Sequence, residues 1–167
     1  MEEFKFSPIG IVHRSTADEM VKQKADGLES VIEIYPQYQE GLEGLEGFSH
    51  VFVLAYFSRL RPEQIGPLKV KPKRLTKYGL KLDEIPLVGV FALDSPTRPN
   101  PIGLSLARLL RIEEGRNLVV ADLEYFDGTP ILDLKPYQTG YRADEFKLPK
   151  WNTELSKKAR LPPTESV

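Results

Sequence analysis

The sequence predicts a mainly β fold, a small closed β-barrel with a few short helices. Three observations carry that expectation. The apolar segments are short and bounded by Gly or Pro, as strands are. Several alternate with period two, and none holds a 3.6-residue period over a long run. At 167 residues without a single cysteine, the chain is long enough to bury a core with no disulfide to staple it. Four or five short strands joined by tight turns are best accommodated by closure, which removes exposed edges. The barrel is expected over residues 1–140, followed over 141–167 by a C-terminal segment with a short helix and a loose tail.

"FSPIGIVHR" and "ESVIEIY" read as the first strands. "PQYQEGLEGLEG" has room for a short helix, and Glu40, Glu43 and Glu46 exclude its glycines as a phosphate loop. "FSHVFVLAYFS", residues 48–58, is apolar on both alternations, with Phe52, Leu54 and Tyr56 opposing Val51, Val53 and Phe57. Such a strand is expected to be central and covered on both faces. "PLVGVFAL", residues 86–93, reads the same way. "LSLARLLRIEE" fits a strand at its start and a helix later. In "NLVVADLEY", Val119, Ala121, Leu123 and Tyr125 share one face, with Asp122 and Glu124 on the other. "WNTELSKKAR" predicts a helix capped by Asn152 or Thr153.

Several function classes drop out. Without cysteine there is no thiolate nucleophile, no Cys-ligated zinc and no iron–sulfur cluster. His13 and His50 lack metal-ligand spacing, and His50, at the start of an apolar strand, reads as a core histidine. Neither GxSxG nor a GxGxxG after a strand is present. The first residues are acidic with no basic-then-apolar run, and no apolar stretch approaches a membrane span of roughly 18 residues, so the cytoplasm is expected. The net charge is −1, so binding to nucleic acid requires a local patch.

Three stretches carry possible chemistry. "DSPTRPNPIGLS", residues 94–105, places Pro96, Pro99 and Pro101 after Ser95, Arg98 and Asn100. Each proline fixes its own φ and pushes the preceding residue toward extended backbone, so the loop loses little entropy on ordering. It either presents a guanidinium and a carboxamide to a ligand or serves as a turn that blocks an edge. "FDGTPILDLKPY", residues 126–137, opens with turn chemistry at Asp127 and Gly128, then aligns Asp133, Lys135 and Tyr137 on one face. That face is either solvated or the wall of a site. "KVKPKRLTKYGLK", residues 69–81, holds six Lys and Arg and no acid, with Tyr78 among them. It is either a solvated connector or a track for an RNA backbone with a base stacked on Tyr78.

"FSPIGIVHR", "GLEGLEGFSHVFVLAYF", "VGVFALDSPTRPNPIGLSL" and "DGTPILDLKPY" together resemble the small β-barrel, non-Rossmann, S-adenosylmethionine-dependent tRNA (adenine-N6)-methyltransferases, the TsaA-like domain family. The resemblance spans residues 4–137. It implies transfer of a methyl group to N6 of the threonylcarbamoylated adenosine 3′ of the tRNA anticodon, by a homodimer, with S-adenosylmethionine as donor and neither metal nor membrane involved. Carried over position by position, the donor contacts are Gln23, Lys24, Ala25, Ser58, Arg59, Asp94, Leu104, Asp127, Gly128, Thr129 and Pro130. Arg98, Asn100 and Tyr137 are then the candidates at the reacting base: Asn100 on the adenine edge, Arg98 on a phosphate or the threonyl carboxylate, Tyr137 stacking or donating a hydrogen bond. Two other readings compete, a non-catalytic donor- or nucleotide-binding protein and a plain RNA-binding barrel using residues 69–81.

Overall fold

The computed structural model describes residues 3–23 and 27–159. In chain order its regular elements are β1 (Gly10–His13), α1 (Asp18–Gln23), β2 (Glu29–Ile34), β3 (His50–Tyr56), β4 (Lys69–Val70), β5 (Val88–Gly89), β6 (Ile102–Glu113), β7 (Asn117–Ala121), β8 (Pro130–Pro136) and α2 (Lys150–Lys158). Short 3₁₀ turns connect several of them, including Pro36–Leu42 and Lys73–Tyr78. Two compact units result, one from Met1–Arg59 with Ile102–Tyr141, the other from Leu60–Pro101 with Arg142–Val167. Among the described residues no helix is long and apolar enough to cross a membrane.

The first unit is a closed antiparallel barrel with strand order β1-β2-β7-β6-β3-β8, as the short alternating strands predicted. Its interior is filled by Val12, Ile32, Ile34, Val51, Val53, Leu118, Val120, Leu123 and Ile131. Each such aliphatic side chain contributes about 1.5–3 kcal/mol when removed from water. β3 is paired to β6 along its whole length and to β8 on its other edge, although in a closed barrel no strand is central. Only one of its faces is fully covered, however. Val51, Val53 and Ala55 are buried, Phe52 and Leu54 are half-buried, and Tyr56 is exposed.

Two β-bulges explain where the periodicity misled. In β6 the register slips between Leu109 and Arg111, so Ala107, Leu109 and Ile112 all reach the core. That insertion is why "LSLARLLRIEE" is strand-like at first and helix-like later, although all of it but Glu114 lies in one twelve-residue strand. In β8 the pairing passes from Asp133 to Ile131, so Ile131 and Leu134 face inward despite opposite parity. "NLVVADLEY" also departs from expectation. Residues 118–121 are buried on both faces, and the strand stops at Asp122, whose φ is 65°. The Asp122 carboxylate accepts the Gly27 N–H at 2.6 Å and Arg108 Nε at 3.1 Å. These bonds, the one from Gly27 foremost, hold its carboxyl below the usual value.

Further expectations are corrected. "PLVGVFAL" is not a central strand: only Val88–Gly89 pair, with β4, before the chain enters a 3₁₀ turn. The first strand is shorter than read, since "FSP" precedes it without regular structure. His50 is half-buried on the barrel's outer face, not a core residue, and Ser49 Oγ lies 2.9 Å from its Nδ1. The last helix starts at Lys150 after Pro149, upstream of both expected caps. Proline satisfies that start because it has no N–H to leave unpaired and its φ suits the approach. The predicted loose tail falls in residues 160–167, outside those described.

In the second unit, the 3₁₀ turn Lys73–Tyr78 buries Leu75 against Leu80, Ile85, Leu155 and Ala159, with Tyr78 and Trp151 at the margin. The C-terminal helix thus shares a core with residues 60–101. Lys158 Nζ closes it further on Glu84 Oε1 at 2.5 Å.

Gly103, the last residue of RPNPIG, needs its missing side chain. A Cβ there would stand 2.5 Å from Phe57 Cζ and 2.9 Å from the Tyr125 hydroxyl. The Tyr125 hydroxyl donates to the Val53 carbonyl at 2.9 Å, and the Phe57 and Tyr125 rings meet edge-on at 5.7 Å. Gly103→Ala is expected to destabilise the barrel by about 1–3 kcal/mol through overpacking, read as a lower midpoint in urea with the slope unchanged.

Candidate functional site

The turn Asp127–Pro130 is sewn into the barrel by its backbone. Gly128 N donates to Val12 O at 2.8 Å, and Val12 N donates to Thr129 O at 3.0 Å. Gly128 sits at φ 74°, a left-handed conformation that the glycine in "DGTP" admits without strain. Thr129 is buried. The Asp127 carboxylate accepts from the Arg14 backbone N–H at 2.9 Å, so it anchors the turn across to the end of β1.

Arg59 bridges three elements. Its Nη1 donates to Asp18 Oδ2 at 2.9 Å, at the start of α1, and its Nη2 donates to the Asp127 carbonyl. The register places the end of β3, the start of β6 and the start of β8 at one end of the barrel, since Ala55 lies between Gly103 and Ile131. Ser58, Arg59 and the Asp127–Pro130 turn therefore come together there. Leu104 is on the outer face of β6 opposite Leu54 and is 64% exposed. Gln23 ends α1, the helix tied in through Asp18. Lys24 and Ala25 lie outside the described residues.

Sequence reasoning missed Arg14 and Asp18. Arg14 is buried, donates through Nη2 to the Leu123 carbonyl at 2.5 Å, and leaves Nε and Nη1 buried without a partner. Burial lowers its pKa, while the nearby Asp18 charge acts in the opposite direction. The signal was available. Gly10, Val12 and Arg14 continue one alternation, so a guanidinium stands in phase with the core. A buried charge with open donors is costly unless something completes it.

In the second unit the arginine of the proline loop is turned inward on its own loop. Arg98 is half-buried, and its Nη1 reaches back to the carbonyls of Leu93 and Ser95 at 3.4 and 3.3 Å. Ser95 Oγ accepts the Thr97 N–H at 3.2 Å, a local hydroxyl turn. Arg98 thus braces its own loop. Asn100 and Asp94 are exposed.

Back on the barrel, Tyr137 lies in an aromatic group on the outer face. Its ring meets Phe52 edge-on at 5.7 Å and stacks with Tyr141 at 6.3 Å. On β8, which ends just before Tyr137, Lys135 and Asp133 pair at 3.0 Å, and that hydrogen bond raises the lysine pKa. Beside them Phe52, Leu54 and Tyr56 are matched across to Leu106, Leu104 and Ile102. The outer face is therefore apolar rather than simply solvated. Among the described residues no group of three or more His, Asp or Glu is placed to hold a metal ion.

The model of the tRNA-methyltransferase O N-terminal domain family matches residues 17–143. A probable S-adenosyl-L-methionine-binding protein of Pyrococcus abyssi is 35% identical over 136 residues, covering 79% of this chain and 67% of the relative. The mouse tRNA (adenine(37)-N6)-methyltransferase is 41% identical over 108 residues, covering 65% of this chain and 23% of the enzyme. Among solved structures, TrmO superposes with a TM-score of 0.63 at 30% identity, over 87% of this chain and 61% of the other. The chain thus spans about three fifths of the solved relative's length.

Arg59→Ala is expected to loosen the turn without unfolding the barrel. Exposed pairs of this kind are worth about 0.2–1 kcal/mol, so amide hydrogen exchange at Gly128 and Thr129 should quicken by up to about fivefold, while the Val53 amide keeps its rate.

Proposed function

Because this chain belongs to the tRNA-methyltransferase O N-terminal domain family, we propose that it methylates N6 of adenosine 37 in tRNA with S-adenosylmethionine as donor, the adenosine already carrying its threonylcarbamoyl group. The single observation that carries this reading in the structure is the braced Asp127–Pro130 turn at the barrel end, with Arg14, Asp18 and Arg59 gathered on it.

The residues present fit such a donor. Asp127 and Asp18 offer carboxylates to an ammonium, Arg14 retains two buried donors, and Leu104 supplies exposed apolar surface. When bound, the donor supplies a methyl group on a sulfonium, a carbon that an amine attacks directly. The protein's task is then to place and orient. Arg59 and the Val12 backbone fix the turn in advance, so little freedom is lost on binding. Ser58, Gly128, Thr129 and Pro130 are proposed as contacts on the same end of the barrel. Tyr137 offers its ring for stacking. Asp94, Asn100, Arg98, Gln23, Lys24 and Ala25 remain candidates on grounds of sequence. A cytoplasmic setting accompanies the reading, since that is where it expects its tRNA.

The proposal includes a homodimer. Its support is the outer apolar face of β3 and β6, where Ile102, Leu104 and Leu106 are exposed opposite Tyr56, Leu54 and Phe52. Contiguous apolar surface of this kind marks interaction sites. Leu106→Glu is expected to convert a dimer to a monomer in light scattering; a wild-type protein that already runs as a monomer would remove the dimer from the reading.

The deciding experiment incubates the protein with isotope-labelled S-adenosylmethionine and tRNA from a strain lacking this methylation, followed by nucleoside mass spectrometry. Label is expected in N6-methylated threonylcarbamoyladenosine. Asn100→Ala should lower kcat/KM about tenfold to a hundredfold, the worth of a bidentate contact to an adenine edge. Donor binding with no label in any nucleoside would favour a non-catalytic donor-binding protein instead.

A further inference from the structure

The two units carry opposite charge. In the chain as a whole the net is −1, yet Met1–Arg59 with Ile102–Tyr141 holds nine Lys and Arg against sixteen Asp and Glu, a net of −7. Leu60–Pro101 with Arg142–Val167 holds fourteen against eight, a net of +6. A phosphate backbone is repelled by the first and attracted by the second. Charges on a protein surface act on such a backbone over about 8 Å at physiological salt, so a contact must be local.

The positive charge is concentrated and held in place. Lys69, Lys73, Arg74, Lys77 and Lys81 are exposed, and Lys71 is half-buried with Nζ on the Leu82 carbonyl at 2.6 Å. Lys69 lies on β4, paired with Gly89, while Lys73, Arg74 and Lys77 lie on the 3₁₀ turn that Leu75 pins at 2% exposure. Tyr78 packs at the margin of that small core, so its ring serves the fold and not a stacked base. What the segment offers an RNA is charge, with no aromatic platform.

We infer that residues 69–81 are the surface that meets the tRNA phosphate backbone, and that they set affinity without contacting the methyl donor. The inference rests on the proposed tRNA methylation, because it names the face of the protein that receives that substrate. Phosphate neutralisation releases condensed counterions, so log K falls linearly with log salt, with a slope of about −0.7 to −0.9 per phosphate contacted.

The test compares wild type with the triple variant Lys69→Gln, Lys73→Gln and Lys81→Gln, which leaves the Lys71 and Leu75 contacts intact. Affinity for a fluorescent tRNA is measured by anisotropy across salt concentration, and S-adenosylmethionine affinity by calorimetry. The expected result is a loss in tRNA affinity of about tenfold or more near physiological salt, a salt slope shallower by about 2 to 3, and unchanged donor affinity. In multiple turnover, KM for tRNA rises while kcat holds. Unchanged tRNA affinity overturns the inference, and so does a loss with the wild-type slope, which would mark a structural effect. A variant that keeps tRNA affinity but loses binding to phosphatidylserine vesicles overturns it in favour of a lipid surface. Failure of methyl transfer in the wild type, with tRNA still bound through these lysines, would sink the proposed activity and leave this surface standing.

Discussion

The barrel depends on the seam that closes it. β1 and β8 share only two paired positions, Gly10 with Ile131 and Ile11 with Pro130. The ladder is prolonged by bonds outside regular structure: Ile9 N to Ile131 O at 2.7 Å, Val12 N to Thr129 O at 3.0 Å and Gly128 N to Val12 O at 2.8 Å. Two of these three run through the Asp127–Pro130 turn. The backbone that closes the barrel is therefore the backbone of the candidate site. A closed sheet has no edge to fray, so a turn that completes the closure is held more firmly than a surface loop of equal length.

Side chains add to that constraint from three directions. The Asp127 carboxylate reaches the Arg14 backbone N–H just past β1, Arg59 enters from beyond β3, and Asp18 from α1. Arg14 lies inside, where lost hydration makes its open donors expensive. Arg59 lies outside, where solvent weakens each of its bonds but leaves the geometry in place. The pair combines a buried charge on the inner side with an exposed one that steadies the turn.

The bulges in β6 and β8 decide which residues reach the core. Each inserts one residue and reverses parity, so the core keeps apolar positions from both registers of the same strand. The outward set at the start of β6, Ile102, Leu104 and Leu106, faces the outward set of β3 without interruption. An apolar outer surface thus arises from strands whose inner positions are also apolar, and single-strand patterns cannot separate the two.

Much of the fold was legible in the sequence. Short strands punctuated by Gly and Pro pointed to a closed β domain, and "DGTP" pointed to a turn with positive φ at Gly128, because those signals are local. Motifs in "RPNPIG" and "DGTP" also marked where the candidate residues lie along the chain. Other features belonged to the tertiary structure alone. The brief pairing of Val88–Gly89, the end of β7 at Asp122 and the two bulges all depend on what a strand meets, not on its own residues. So does the fate of Arg98, which the sequence offered to a ligand and the fold turned back onto Leu93 and Ser95. Arg14 shows the division most plainly. Its place in the alternation was written in the sequence, but an inward charge has meaning only once closure has removed its water and left two donors without partners.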